Sequence, residues 1–360
     1  MQYNGAEESL SELPPSSKFI YHVLSHEGSM TLKQITEETL LSSRTARYGL
    51  NELEDADLIQ SAPALHDGRQ TCYSIQQRSI GDDRTGYSES VLVKPDFLAR
   101  EIPDFEEDDP DLRLVEVSTK YDEGHIPGAI ELDPRRDFSA SGRRVIPDAD
   151  RLESVLGERG ITPDSTVVLY SDGYNEFAAF VYWTLKYYQH RDVRLLNGGK
   201  RYWTENDYPT TTSEPTVTPV EYEAYPPNDR IRAHRRDVRD ALSDDVAIVD
   251  VRSPEEYRGE ADDPARASGH IPHTVNIEWT SVVRECGRFE HARALERPFA
   301  EADIDPTDDI IVYCNIGERS ALVWFALSEL LGYPDVSNYD GSWSEWGNLV
   351  DAPVETPDEE

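Results

Sequence analysis

The chain has 360 residues, 71 of them Asp or Glu and 35 Lys or Arg, for a net charge of −36 and a pI near 4.5. So acidic a surface disfavours docking on a membrane surface, and three cysteines are too few for the disulfide framework of a small secreted protein. The length suits two or three domains, and an apolar fraction of 38% is low but adequate for their cores.

Residues 1–16 are expected to be a flexible acidic N-terminus. Met1 to Leu10 has no signal-like apolar core and no long uncharged apolar run follows, so a cytoplasmic location is expected. From 17 to 80 the pattern is that of a small separate module. Ser17 to Ser25 carries an apolar stripe (Phe19, Ile20, Val23, Leu24), and Thr31-Leu32-Lys33-Gln34 offers a capping box for a second helix. Ser42 or Ser43 can cap a third, running to about Asp55, with Tyr48, Leu50 and Leu53 facing inward. Leu58 to Pro63 and Gln70 to Ile75 then flank His66-Asp67-Gly68-Arg69 as a β-hairpin, with Cys72 on its second strand. Three helices and a hairpin make a winged helix-turn-helix, and the segment resembles the MarR-type group of DNA-binding domains. The resemblance implies DNA as a partner, touched by Arg44, Thr45, Arg47 and Tyr48 on the recognition helix and by Arg69 at the wing tip. Six basic against eleven acidic residues in the first eighty leave protein docking open as the other use of such a module.

A linker (81–90) leads into two copies of one α/β plan at 91–209 and 230–350. A Pro-rich extended linker (210–229) separates them, and an acidic tail (351–360) follows. Leu114-Val115-Glu116-Val117, Gly124-His125-Ile126-Pro127, Val167-Val168-Leu169-Tyr170 and Asn197-Gly198-Gly199 recur, in order, as Ile248-Val249-Asp250-Val251, Gly269-His270-Ile271-Pro272, Ile310-Ile311-Val312-Tyr313 and Asp340-Gly341-Ser342. Alternating strands and helices imply an open, mainly parallel, doubly wound sheet in each copy, with ligands at the carboxyl ends of the strands.

The second copy carries the chemistry. Ile310 to Tyr313 reads as a buried strand and Arg319 to Leu331 as a helix (Leu322, Phe325, Ala326, Leu330), so Cys314 stands where strand gives way to helix. Such a turn aims N–H groups and the positive helix end at the sulfur, surroundings that lower a thiol's pKa. Arg319 adds a permanent positive charge, which points to an oxyanion as the target.

Tyr313-Cys314, Gly317 and Arg319 together resemble the active-site loop of rhodanese, the thiosulfate sulfurtransferase family. Val249-Asp250-Val251-Arg252-Ser253-Pro254-Glu255-Glu256-Tyr257, Gly269-His270-Ile271-Pro272 and Asn338-Tyr339-Asp340-Gly341-Ser342-Trp343-Ser344-Glu345-Trp346-Gly347 are similar to three further motifs of that family, in its order. Four residues separate Cys314 from Arg319, one fewer than in the related dual-specificity phosphatases, and Ser320 stands where those need arginine. The shorter ring suits a sulfane sulfur held by Asn315, Ile316, Gly317, Glu318 and Arg319.

The resemblance implies a two-step displacement without cofactor. Cys314 takes the outer sulfur of thiosulfate, sulfite leaves, and cyanide or a cellular thiol collects the sulfur from the persulfide. Ser171 stands at the position of Cys314, and the loop Ser171-Asp172-Gly173-Tyr174-Asn175-Glu176 lacks the arginine. Serine cannot carry a persulfide, so the first copy is expected to be inactive and to wall the cleft. Vertebrate-type enzymes of the family use an additional arginine and lysine, at positions held here by Glu256 and Ile316, which weakens thiosulfate binding or changes the donor. Mercaptopyruvate sulfurtransferases lack a loop arginine, so Arg319 favours thiosulfate. A transcription regulator that senses reactive sulfur through Cys314 would use the same residues. Cys286, with Arg284 and Arg288 nearby, is a second thiol for sulfur exchange; His270 and His273 read as turn residues, and no metal is expected. The evenly spread acidity, with only six lysines, is similar to that of proteins from salt-loving cells, where a screening length of about 3 Å damps self-repulsion.

Overall fold

The computed structural model describes residues 13–27, 30–56, 58–63, 71–75, 90–140, 143–144, 146–244, 246–262 and 264–356. The chain divides between Asp83 and Arg84 into two units. In the first, α1 (Pro15–Glu27), β1 (Met30–Thr31), α2 (Leu32–Thr39) and α3 (Ser43–Asp55) precede β2 (Ile59–Pro63) and β3 (Thr71–Ile75). Thr31 and Gln34 close a capping box at the start of α2 (Gln34 N to Thr31 Oγ1 3.3 Å, Thr31 N to Gln34 Oε1 2.7 Å). Of the two candidate caps for α3, Ser42 is the one used, accepting from Thr45 N–H at 3.2 Å. Strand β3 lies between β1 and β2, antiparallel to both, with Met30 opposite Tyr73 and Ile59 opposite Ile75.

Ala46, Leu50 and Leu53 of α3 pack on Ile20, Leu24 and Ile35. Tyr48 does not join them. Ala46, Leu50 and Leu53 recur at spacings of four and three and so form one stripe, whereas position 48 falls on the far side of the helix at about 100° per residue. Its ring is 56% exposed, which corrects the inward placement expected for it. The turn containing Arg69 lies outside the described residues.

The second unit holds both copies. The first is built from β4 (Leu92–Val93), α4 (Pro95–Phe105), β5 (Leu112–Val117), β6 (Ala129–Leu132), α5 (Ala149–Glu158), β7 (Thr166–Ser171), α6 (Glu176–Tyr187), β8 (Asp192–Leu196) and α7 (Gly199–Glu205). The second comprises α8 (Arg235–Ala241), β9 (Ala247–Asp250), α9 (Pro254–Tyr257), β10 (Val275–Asn276), α10 (Ala292–Glu301), β11 (Ile310–Tyr313), α11 (Glu318–Trp324), β12 (Val336–Asn338) and α12 (Ser342–Trp346). Their sheets run β4-β8-β7-β5-β6 and β12-β11-β9-β10, parallel throughout. The order is the same apart from β4, in whose place Arg232 makes a single parallel bridge to Asn338. Strand residues alternate between two apolar clusters, Ile310 and Val312 on one side and Ile311 and Tyr313 on the other, as a sheet covered on both faces requires.

The segment 210–229 is extended and lies along the first copy: Thr211 bridges His125, and Val220 N donates to Gly157 O at 2.9 Å. A Cβ at Gly157 would meet Val220 O at 2.6 Å, so glycine is what admits the strap. The two copies join through α6 and α11, inside one continuous core. The sequence offset that carries Ser171 to Cys314 also carries Tyr182 to Phe325 and Lys186 to Glu329. Both pairs touch: the rings of Tyr182 and Phe325 meet edge to face at 4.8 Å, and Lys186 Nζ lies 3.8 Å from Glu329. Equivalent residues meeting along both helices is the signature of a local two-fold relation between the copies.

The helix after Cys314 differs from expectation. It begins at Glu318 and is α-helical only to Trp324; Phe325–Leu330 widens into a π-helical turn where Phe325 meets the first copy.

Candidate active site

Tyr313 ends β11 fully buried, its hydroxyl accepting from Ile271 N–H at 3.2 Å, and this pins the strand end to the Gly269-His270-Ile271-Pro272 turn. Cys314 follows at the carboxyl edge of the sheet, also buried. The chain then curls around the sulfur. Gly317 N–H donates to Sγ at 3.1 Å, and Ser320 Oγ on the first turn of α11 lies 3.5 Å from it. The N–H groups of Asn315 and Ile316 form no hydrogen bond among the described residues.

The curl depends on two backbone positions. Gly317, the cap of α11, has φ +89, and a Cβ there would meet Asp340 O at 2.9 Å. Ser342, at φ +51, opens α12 and places its Oγ to accept Cys314 N–H at 3.1 Å while donating to Tyr339 O at 2.7 Å. Trp343 N–H donates to Cys314 O (3.0 Å) and Ser344 N–H to Asn315 O (2.9 Å), so α12 backs the loop from behind. Below it, the wholly buried Arg252 pairs with Asp250 at 2.6 Å and stacks 4.5 Å from the Trp343 ring.

Arg319 is not an open cation. Its Nη1 and Nη2 donate to the two oxygens of Glu256 at 2.7 and 2.8 Å, a bidentate pair between α9 and α11 with both side chains mostly covered. Burial works against both charges, yet the pair overcomes it. Glu256 is held below the ordinary glutamate range by the hydrogen bonds and charge of Arg319, and Arg319 is held above its own by Glu256 and the nearby Cys314. Glu176, the first copy's counterpart of Arg319, also bears on this guanidinium; burial raises the Glu176 pKa and Arg319 opposes the rise.

The first copy's loop is filled by its own side chains. Ser171 Oγ accepts from Ala178 N–H at 3.3 Å, and Ser171 N–H is taken by Asn175 Oδ1 at 2.8 Å. Lys200 is engaged by Glu116 (2.6 Å) and Asp172 (3.6 Å), while Tyr170 also donates to Glu116 (2.7 Å).

Among the residues singled out from sequence, Cys314, Gly317 and Arg319 converge as described; Asn315 and Ile316 form a half-buried rim and Glu318 is buried at the start of α11. Arg44, Thr45, Arg47 and Tyr48 lie together on α3 of the other unit. Cys286 sits half-buried in a turn whose Gly287 and Phe289 dock on Gly198 and Asn197 of the first copy. Among the described residues no group of three or more His, Cys, Asp or Glu is placed to hold a metal ion. No described helix is long and apolar enough to cross a membrane. Three roles escaped the sequence reading: Ser342 and Ser320 beside Sγ, and Glu256 as the partner of Arg319, although the sequence marks Ser320 as the replacement of a phosphatase arginine and Glu256 as the replacement of a substrate-binding cation. Ser342 was visible only as part of the closing motif, and Glu256 stands third in a Ser253-started helix, where a capping carboxylate is ordinary.

A family model, the rhodanese-like domain, matches residues 104–206 and 235–349. A protein of Haloferax volcanii, provisionally named a thiosulfate sulfurtransferase, is 47% identical over 75% of this chain and 97% of its own length. Sulfur carrier protein TtuD of Thermus thermophilus is 42% identical over 75% of this chain and 98% of its own. Among solved structures, a cysteine persulfide form of EanB with ergothioneine aligns with TM-score 0.67 and 27% identity over 74% of this chain and 70% of that one. Two matched copies and relatives aligned over almost their whole length leave one conclusion: the chain belongs to the rhodanese-like sulfurtransferase family.

Proposed function

We propose that the protein transfers sulfane sulfur through a persulfide on Cys314, with thiosulfate as a usable donor and cyanide or a thiol as acceptor. The observation that carries this reading is the Gly317 N–H on Sγ together with the unclaimed N–H groups of Asn315 and Ile316. In the first step the Cys314 thiolate attacks the outer sulfur of thiosulfate; one S–S bond forms, the sulfur–sulfonate bond breaks with its electron pair, and sulfite departs. The outer sulfur then stands about 2 Å beyond Sγ, where those donors stabilise its negative charge. In the second step the acceptor attacks that sulfur and Cys314 leaves as thiolate.

Cys314→Ser tests the reading. With thiosulfate and cyanide in molar salt, which suits a chain of charge −36, the variant should show no turnover. Wild-type protein treated with thiosulfate should gain one sulfur on the peptide carrying Cys314. Sulfur on Cys286 or Cys72 instead would move the active site.

The first unit supports a second, separate role. Its order of three helices and an antiparallel β1-β3-β2 sheet fits a winged helix-turn-helix, and Arg44, Arg47 and Tyr48 are exposed on one helix. We propose that α3 contacts DNA and that persulfidation of Cys314 changes this binding. Titration of labelled duplex should give an affinity that falls with salt and weakens in Arg44→Ala and Arg47→Ala. Unchanged binding in both variants would leave the unit as a protein-docking module.

A further inference from the structure

The Arg319–Glu256 pair separates two kinds of sulfur donor. Thiosulfate is a dianion, and a guanidinium already bidentate to a carboxylate offers it little net attraction. Glu256 Oε2 also accepts from Ser253 N–H at 3.0 Å, so the carboxylate is anchored to its own helix start and cannot swing aside without breaking that cap. The cation that closes the loop is thus already matched by the Glu256 carboxylate, and the chain as a whole carries −36.

We infer that Glu256 is a specificity-determining residue that biases Cys314 against dianionic thiosulfate and towards sulfane donors carrying a single negative charge, such as persulfides of small thiols and thiosulfonates. This inference rests on the persulfide reading of Cys314. The chemistry is the same for each donor: the thiolate forms a bond to the sulfane sulfur, and the donor's S–S bond breaks heterolytically to release sulfite from thiosulfate, a sulfinate from a thiosulfonate or a thiolate from a persulfide. Only the charge brought to the Arg319–Glu256 pair differs.

The test compares thiosulfate with methanethiosulfonate, in which a methyl group replaces one oxyanion, on the full chain with cyanide as acceptor. Wild type should show the higher kcat/KM with methanethiosulfonate. Glu256→Gln keeps the acceptor for Ser253 N–H but removes the charge. It should raise kcat/KM for thiosulfate by about tenfold, chiefly through KM, while methanethiosulfonate changes less than about threefold. A fall with thiosulfate, or an equal change with both donors, would show that Glu256 merely positions Arg319 and would overturn the inference. Glu256→Ala, checked by thermal unfolding, must shift the donor ratio in the same direction; a ratio at the wild-type value in both variants has the same overturning force. Mass spectrometry of Cys314 accompanies each assay. Persulfide formed with an unaltered donor ratio rejects the inference alone, whereas no persulfide from either donor rejects the sulfur-transfer reading beneath it.

Discussion

At the scale of single residues, the loop works by converging weak donors on one sulfur. Arg319→Lys keeps a charge but loses the planar fork that matches Glu256, and Arg319→Ala also leaves Glu256 half-buried and unpaired. Activity with thiosulfate should therefore fall in the order wild type, Lys, Ala. The Ala variant should be down roughly ten- to a hundredfold in steady-state assays, because Glu256 then stands as an uncompensated carboxylate beside the incoming dianion, at a cost of about 1.5–3 kcal/mol. The same pair sets a pH dependence. Because the folded Glu256 pKa is depressed, its stabilising contribution is complete above the ordinary glutamate value of about 4.3 and is lost as pH falls through the lower folded value. Melting temperatures of wild type and Glu256→Gln should accordingly differ most near neutral pH and converge in acid. A gap that widens in acid would refute the assigned sign.

At the scale of elements, the strand-to-helix turn is held from behind by α12. Ser342→Ala deletes the acceptor for the Cys314 N–H, a buried bond whose loss leaves an unsatisfied donor costing about 1–3 kcal/mol. It should lower both stability and the rate of persulfide formation, followed by stopped-flow mixing and thermal melts. Gly317→Ala should be worse for activity, since the cap needs a left-handed φ and there is no room beside Asp340. The strand and the helix here were readable from β-branched and helical spacing, as was the capping box at Thr31. The switch to a π-helical turn at Phe325 was not, because nothing local in Phe325–Leu330 departs from a helical pattern; the departure coincides with the contact to Tyr182 across the interface.

At the scale of the whole molecule, the first copy serves as a packing partner. Ser171→Ala should leave turnover nearly unchanged, because that hydroxyl meets only backbone groups of its own copy. Phe325→Ala, by contrast, empties the contact between the copies and should cost about 3–5 kcal/mol. Denaturant unfolding followed alongside sulfur transfer should show both copies lost together, as one shared core requires; a surviving active second copy would contradict that cooperativity.

The amino-acid sequence by itself determined the repeat, the strand and helix periodicities and the position of Cys314. These rest on local spacing and on side-chain chemistry that no neighbour can change: serine at 171 has no sulfur to hold, whatever surrounds it. Tertiary structure alone decided the charge state of the loop. Arg319 reads from sequence as a free cation, and Glu256, 63 residues away, only as the replacement of a substrate-binding cation. Only the folded sheet, by bringing the ends of β9 and β11 side by side, joins them into a pair.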